Sequence, residues 1–190
     1  MVNLGPTDYQ PKHGDIGITT ISGWGGKGIQ TAQRLMGCPW DAKQHAFVVT
    51  ETGSKMRDEM IIEAMPGGAQ HVPNWHPVNQ TLYLRCPDEF RDAVAAAALA
   101  FEGVPYSWLD YQAIALHHLH VPAPWLKSYI MSTRHEICSQ LADQAALMGG
   151  WHLFDDGRWP GYVPPCDLNR LYKKQQHEDL VQRLRTGEDY

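Results

Sequence analysis

No Cys-x-x-Cys pair, no apolar run approaching the ~20 residues of a membrane span, no basic stripe, no internal repeat and no low-complexity tract occurs in these 190 residues. Each absence removes a class of function. Cys38, Cys86, Cys138 and Cys166 stand far apart, so the paired-thiolate spacing of a structural zinc site is missing. Lys and Arg are scattered through a chain of net charge −5, which offers nothing to a phosphate backbone, and no nucleic-acid partner is expected. The start of the chain, Met1-Val2-Asn3-Leu4-Gly5-Pro6, has no charged region followed by an apolar one, so no secretory signal is read there. The expectation is a chain made in the cytoplasm without a transmembrane segment. If its substrate lies outside the cell, lysis, a phage particle or an injection system would deliver it. With 43% hydrophobic residues the chain can bury one sizeable core. Such a core does not need disulfides, and the thiols are expected to be reduced.

What is present reads as alternating strands followed by helices. A polar, Pro-containing extension, residues 1–12, precedes a strand over His13-Gly14-Asp15-Ile16-Gly17-Ile18-Thr19. Ser22 to Gly28 is glycine-rich, but Gly28 and Ile29 are not the Lys and Ser or Thr that a phosphate loop requires, so a hinged surface loop leading into a helix over Ile29 to Met36 is expected. His45 to Thr52 alternates, Gly53-Ser54-Lys55 turns, and Met56 to Ala64 returns as the second strand of a hairpin. Gln70-His71-Val72 and Thr81-Leu82-Tyr83-Leu84 extend the same sheet. A helix capped by Asp88 runs through Ala95 to Phe101 and stops at Gly103; another is expected from Ser107 to Pro122, a third over Cys138 to Met148, and a charged terminal helix from Asp167 to Arg185.

Three residues stand out chemically. A thiol near a helix start, a histidine on one strand and a carboxylate on the next are the parts of an activated cysteine nucleophile, and Cys138, His45 and Glu63 occupy those positions. A hairpin centred on Ser54 sets His45 directly opposite Glu63, with Cβ atoms roughly 4.5–5.5 Å apart. A bulge or a longer loop would move the partner to Glu59 or Ile61. Thr133 and Glu136 have capping-box spacing that would start the cysteine helix early. A later start, with Glu136-Ile137 extended, would put the thiol at the helix tip, where backbone amides lower its pKa, and is preferred here. The backbone N–H of Cys138 is then an oxyanion donor, with Gln44 a candidate for the second.

The remaining unusual residues have plainer readings. His117 and His120 could share a helix face as metal ligands, yet no Glu-x-x-His pattern accompanies them and Leu116 and Leu119 lie between. Compensation of a helix dipole is the better account, and no metal or other cofactor is expected. Most of the seven tryptophans are expected in the core, with Trp40 or Trp108 lining a cleft.

Gly14-Asp15-Ile16, Gln44-His45-Ala46-Phe47-Val48-Val49, Ile62-Glu63-Ala64-Met65-Pro66-Gly67-Gly68, Gly103-Val104-Pro105-Tyr106, Glu136-Ile137-Cys138-Ser139-Gln140-Leu141 and Pro164-Pro165-Cys166-Asp167-Leu168, in that order, resemble the circularly permuted branch of the NlpC-type papain-like cysteine peptidases. That group includes the YiiX-like proteins and, distantly, the lecithin-retinol acyltransferases. The order histidine, carboxylate, cysteine is the specific part, since unpermuted members run cysteine first. The resemblance implies an α+β papain-like domain over residues 13–168, a small antiparallel sheet packed on the cysteine helix, followed by a charged helix over 169–190. It implies Cys138 as nucleophile, His45 as general base and Glu63 as the residue that orients the imidazole, with Gln44, Trp40, Tyr106, Trp108 and Ser139 around the substrate. The implied activity is that of a monomeric thiol hydrolase cleaving amide bonds of a peptide or peptidoglycan-like substrate. An acyltransferase or lipid thioesterase, and a non-catalytic binding module on the same fold, are the alternatives. The stretch from Asp155 to Pro165 is unlike a minimal member and would reshape the cleft.

Overall fold

A computed structural model describes residues 9–21, 27, 30–31, 33–34, 37–39, 43–53, 58–65, 67–105, 138–158 and 163–187. Five strands, β1 (Ile16–Thr19), β2 (His45–Glu51), β3 (Met60–Met65), β4 (Gly68–Pro73) and β5 (Leu82–Leu84), form one antiparallel sheet in the order β4-β3-β2-β1-β5. The helices whose bounds are described are α1 (Arg91–Leu99), α2 (Cys138–Met148) and α3 (Pro165–Thr186). The expected α+β class, with an antiparallel sheet against the cysteine-bearing helix, is present. Gln30, Thr31, Gln33 and Arg34 are helical, within the stretch expected to be so, and Lys27, placed in the expected loop, is helical as well. The helix expected over Ser107 to Pro122 lies outside the described residues.

Because side chains alternate across a strand, the sheet carries two different faces. Ile16, Ile18, Ala46, Val48, Ile62, Ala64 and Leu84 face the helices and form the main core with Val94 and Ala98 of α1 and Leu141, Ala142, Ala145 and Ala146 of α2. The alanines matter, because they are good helix formers and short enough to let two helices lie close on the same sheet. On the opposite face Phe47, Val49, Ile61 and Tyr83 form a smaller cluster packed by Tyr9 and Val72. Both edges are covered: Ala69 of β4 exchanges backbone hydrogen bonds with Gly103 and Val104, and Gln175 of α3 bonds both the N–H and the C=O of Arg85, just beyond β5.

Asp15, fully buried, joins the strands to what surrounds them. Its carboxylate accepts from the Tyr9 hydroxyl at 2.6 Å, from the backbone N–H groups of Lys12 and Cys86, and from Arg91 at 2.7 Å. Gly14 beside it has φ +85° and lies against the Arg91 backbone, where a Cβ would come within 2.8 Å. Residues 9–12 are therefore tied to the domain and are not a free extension.

Several expectations are corrected. Asp88 does not cap a helix; its carboxylate accepts from Arg91 Nε at 2.7 Å, and a short 3-10 turn, Asp88–Phe90, precedes α1. The terminal helix starts at Pro165, before the boundary drawn at residue 169, and its first turn is buried in the core. Cys38 and Cys166 are joined by a disulfide across 128 residues, so the expectation of four reduced thiols fails; Cys86 and Cys138 are not disulfide-bonded. The reason is spatial: α3 brings Cys166 back beside the segment leading into β2, to a Cα separation of 6.1 Å. Among the described residues no helix is long and apolar enough to cross a membrane.

Closing so long a loop restricts the unfolded chain strongly, and reduction or Cys166→Ser is expected to lower stability by ~2–5 kcal/mol, read as an earlier urea midpoint than that of the oxidised protein. Gly17 has no room for a side chain, since a Cβ there would sit 2.1 Å from the Phe47 ring. Gly17→Ala is expected to cost ~1–3 kcal/mol through overpacking and to lower the melting temperature.

Candidate active site

The site is built where β2 begins. His45 is the first residue of that strand, on the face of Phe47, and Phe47 pairs directly with Glu63 of β3. The expected pairing of His45 with Glu63 is therefore displaced by two residues. Glu51 pairs with Met60, which puts the hairpin's midpoint after Ser54, and a bulge between Val49 and Glu51 takes back part of the offset. A shift of two keeps every side chain on its own face, and a diagonal neighbour is still within reach of long side chains. His45 Nε2 accordingly lies 2.7 Å from Glu63 Oε2, both groups buried.

Cys138, the first residue of α2 as described, comes to the same strand end from the helix side. Its Sγ is 4.0 Å from the Gln44 carbonyl oxygen, and its side chain is hydrogen-bonded to the His45 imidazole. The sheet does not separate the two groups, because His45 ends its strand and the thiol reaches it around that end. Thr133 and Glu136 lie outside the described residues.

The carboxylate decides the tautomers. Glu63 accepts three hydrogen bonds, from His45 Nε2, from His76 Nε2 at 2.9 Å and from the Trp75 indole N–H at 2.7 Å. Burial pushes its pKa up, but these donors and the nearby imidazole charge outweigh burial and hold it down at about 2. An ionised carboxylate only accepts, so both imidazole Nε2 atoms carry hydrogens. That leaves Nδ1 of His45 for the thiol. Burial pulls the His45 pKa down, yet the charge and hydrogen bond of Cys138, followed by those of Glu63, carry it up to about 9.

Two of these groups escaped the sequence reading. Trp75 was expected in the core and is instead 56% exposed, with its indole N–H on Glu63. His76 has no periodic signal, because it sits in the Pro-bounded segment Pro73-Asn74-Trp75-His76-Pro77. Its turn chemistry was the available clue: Asn74 Oδ1 accepts the His76 backbone N–H, an Asx turn of a kind that asparagine favours. The expected environment of the thiol is partly corrected too. Ser139 is buried and donates to the Val163 carbonyl at 2.6 Å, tying α2 to the segment before α3 instead of lining a cleft. Gln44 is buried beside His45. Trp40, Tyr106, Trp108, His117 and His120 lie outside the described residues, as does 159–162 of the Asp155 to Pro165 stretch.

His45, Glu63 and His76 are also, by donor type, a group that could take a metal ion, their ligand atoms lying within 4.8 Å of one another. Ligands sharing one zinc ion tetrahedrally would stand about 3.3 Å apart. The contacts of 2.7 and 2.9 Å onto a single oxygen are those of hydrogen bonds.

The raised His45 value means the folded protein holds that proton more tightly than the unfolded chain. Its contribution to stability is complete below the ordinary value of ~6.5 and is lost as pH rises through about 9. Glu63, held low, contributes fully above ~4.3 and loses that contribution as pH falls through about 2. The stability deficit of His45→Gln relative to the parent protein is therefore expected to be larger at pH 6 than at pH 9.5, measured by urea unfolding at both values.

No protein-family model matches the chain, and no curated protein matches its sequence.

Proposed function

We propose that this protein is a cysteine hydrolase acting through an acyl-enzyme on Cys138. The observation that carries this reading is the His45 imidazole held between the Cys138 thiol and the Glu63 carboxylate. His45 Nδ1 takes the thiol proton, and the thiolate adds to an amide carbonyl carbon while the carbonyl electron pair moves onto oxygen. The backbone N–H of Cys138 and the Gln44 side chain are the proposed donors to that oxyanion. Collapse breaks the C–N bond, the amine leaves with the proton from His45, and a thioester remains. Water then gives a proton to His45 and adds to the thioester; the carboxylic acid departs and the thiol is restored.

The resemblance to permuted NlpC-type peptidases favours stem-peptide amide bonds of peptidoglycan as substrate. The Cys38–Cys166 bridge supports work in an oxidising compartment. Cys138 is only 1% exposed, so turnover requires an opening that uncovers Sγ.

With Cys38 and Cys166 bridged, a small alkylating reagent has two unbridged thiols to choose between. Cys86 is the internal control, its thiol pushed up to about 12 by burial. The expected result with iodoacetamide is labelling of Cys138 below pH 7 that slows in His45→Ala, mapped by mass spectrometry. Labelling that rises only near the ordinary thiol value of ~8.5, at the same rate in both proteins, would overturn the reading and favour a binding module. With a reactive thiol established, release of amine from stem peptides supports the peptidase. Turnover confined to acyl esters would instead assign the acyltransferase or thioesterase activity.

A further inference from the structure

His76 touches neither Cys138 nor any bond the proposed reaction would break, yet it is among the most enclosed polar side chains near the site, with its side chain fully buried. Every side of it is constrained. Its Nε2 donates to Glu63 Oε2, the oxygen that also receives His45 Nε2. Its ring stacks on Phe47 at 4.9 Å and 8°, and Phe47 in turn lies across Gly17, where no side chain fits. The Trp75 ring lies 4.1 Å from it, and its backbone is fixed by Asn74, whose amide donates to Glu59 and to the Tyr83 hydroxyl.

The other ring nitrogen decides what such a histidine can do. His76 Nδ1 is buried and has no hydrogen-bond partner among the described residues. A neutral ring with its hydrogen on Nε2 leaves there only an unused lone pair. His76 is thus built to give one hydrogen bond, from Nε2 to Glu63.

We propose that His76 is a positioning residue which fixes Glu63 and, through it, the orientation of the His45 imidazole. Resting on the cysteine-hydrolase reading, the inference extends it. Two imidazoles share one carboxylate oxygen, and of the two it is His45 that also interacts with Cys138. The titratable groups around His76 are His45 of β2, Glu63 of β3 and, through Asn74, Glu59 and Tyr83 of β5. None of them supplies an acceptor to Nδ1. Braced by His76, Glu63 keeps Nε2 of His45 protonated, which leaves Nδ1 for the thiol.

The test compares the pH profile of Cys138 alkylation in the parent protein, His76→Phe and His76→Gln, with folding checked by circular dichroism. His76→Phe keeps a ring to stack on Phe47 and lacks the donor. It is expected to move the midpoint of labelling upward by about one to two pH units, the equivalent of losing one hydrogen bond to a charged group. His76→Gln keeps an N–H and is expected to recover most of that shift. An unmoved midpoint in folded His76→Phe would overturn the inference while leaving the Cys138 reading intact; a parent protein with no reactive thiol would overturn both. Should His76→Phe fail to fold, ¹⁵N shifts of the two rings in the parent protein at pH 7 decide. A hydrogen on His76 Nε2 shared with Glu63 supports the proposal, and a His76 with its hydrogen on Nδ1 alone overturns it. One equivalent of tightly held zinc that disappears in His76→Gln would also overturn it, by making His76 a metal ligand.

Discussion

A carboxylate 2% exposed is the constraint around which this site is organised. Taking an ionised group out of water costs several kcal/mol unless hydrogen bonds replace its hydration. Glu63 meets that requirement with three donors, two imidazoles and an indole, none of them adjacent to it in sequence. Satisfying the charge fixes the orientation of every donor. The His45 imidazole is thereby held with its Nε2 hydrogen on the carboxylate.

The supports for this arrangement extend outward in layers. Gly17 has no side chain, which lets the Phe47 ring lie across it; the Phe47 ring forms a surface for His76, and His76 braces Glu63. Asn74 turns the chain so that the loop after β4 folds back over the sheet. On the other side, Ser139 holds α2 to the segment that enters α3, and the Cys38–Cys166 bridge holds that same region to the approach of β2. The thiol and the histidine come from elements far apart in sequence, and these ties bring them together. The exposed Trp75 ring, fixed by its N–H on Glu63, is the part of the assembly that meets solvent.

Much of this was legible in the chain. The alternation of His45-Ala46-Phe47-Val48-Val49 and of Ile61-Ile62-Glu63-Ala64 gave the hairpin and put the imidazole and carboxylate on one face, because the side-chain period of a strand is two. The same periodicity is blind to register in steps of two, so Phe47, and not His45, proved to be Glu63's direct partner. The charged run ending at Arg185 gave the terminal helix to within two residues at its start and one at its end. The Asp88 cap failed because Arg91, one turn on, competes for the same carboxylate.

By itself the sequence determined the strand and helix periods, the pairing of face with face, and the three residue types from which an activated thiol can be made. Tertiary structure decided which cysteines bridge, which histidine joins His45 on the carboxylate, and which tryptophan meets solvent. The reason is physical. Local order depends on neighbours a few residues away and is written in their spacing. The bridge between Cys38 and Cys166, and the three donors on Glu63, depend on where long-range packing brings the chain back, and no local pattern encodes that return.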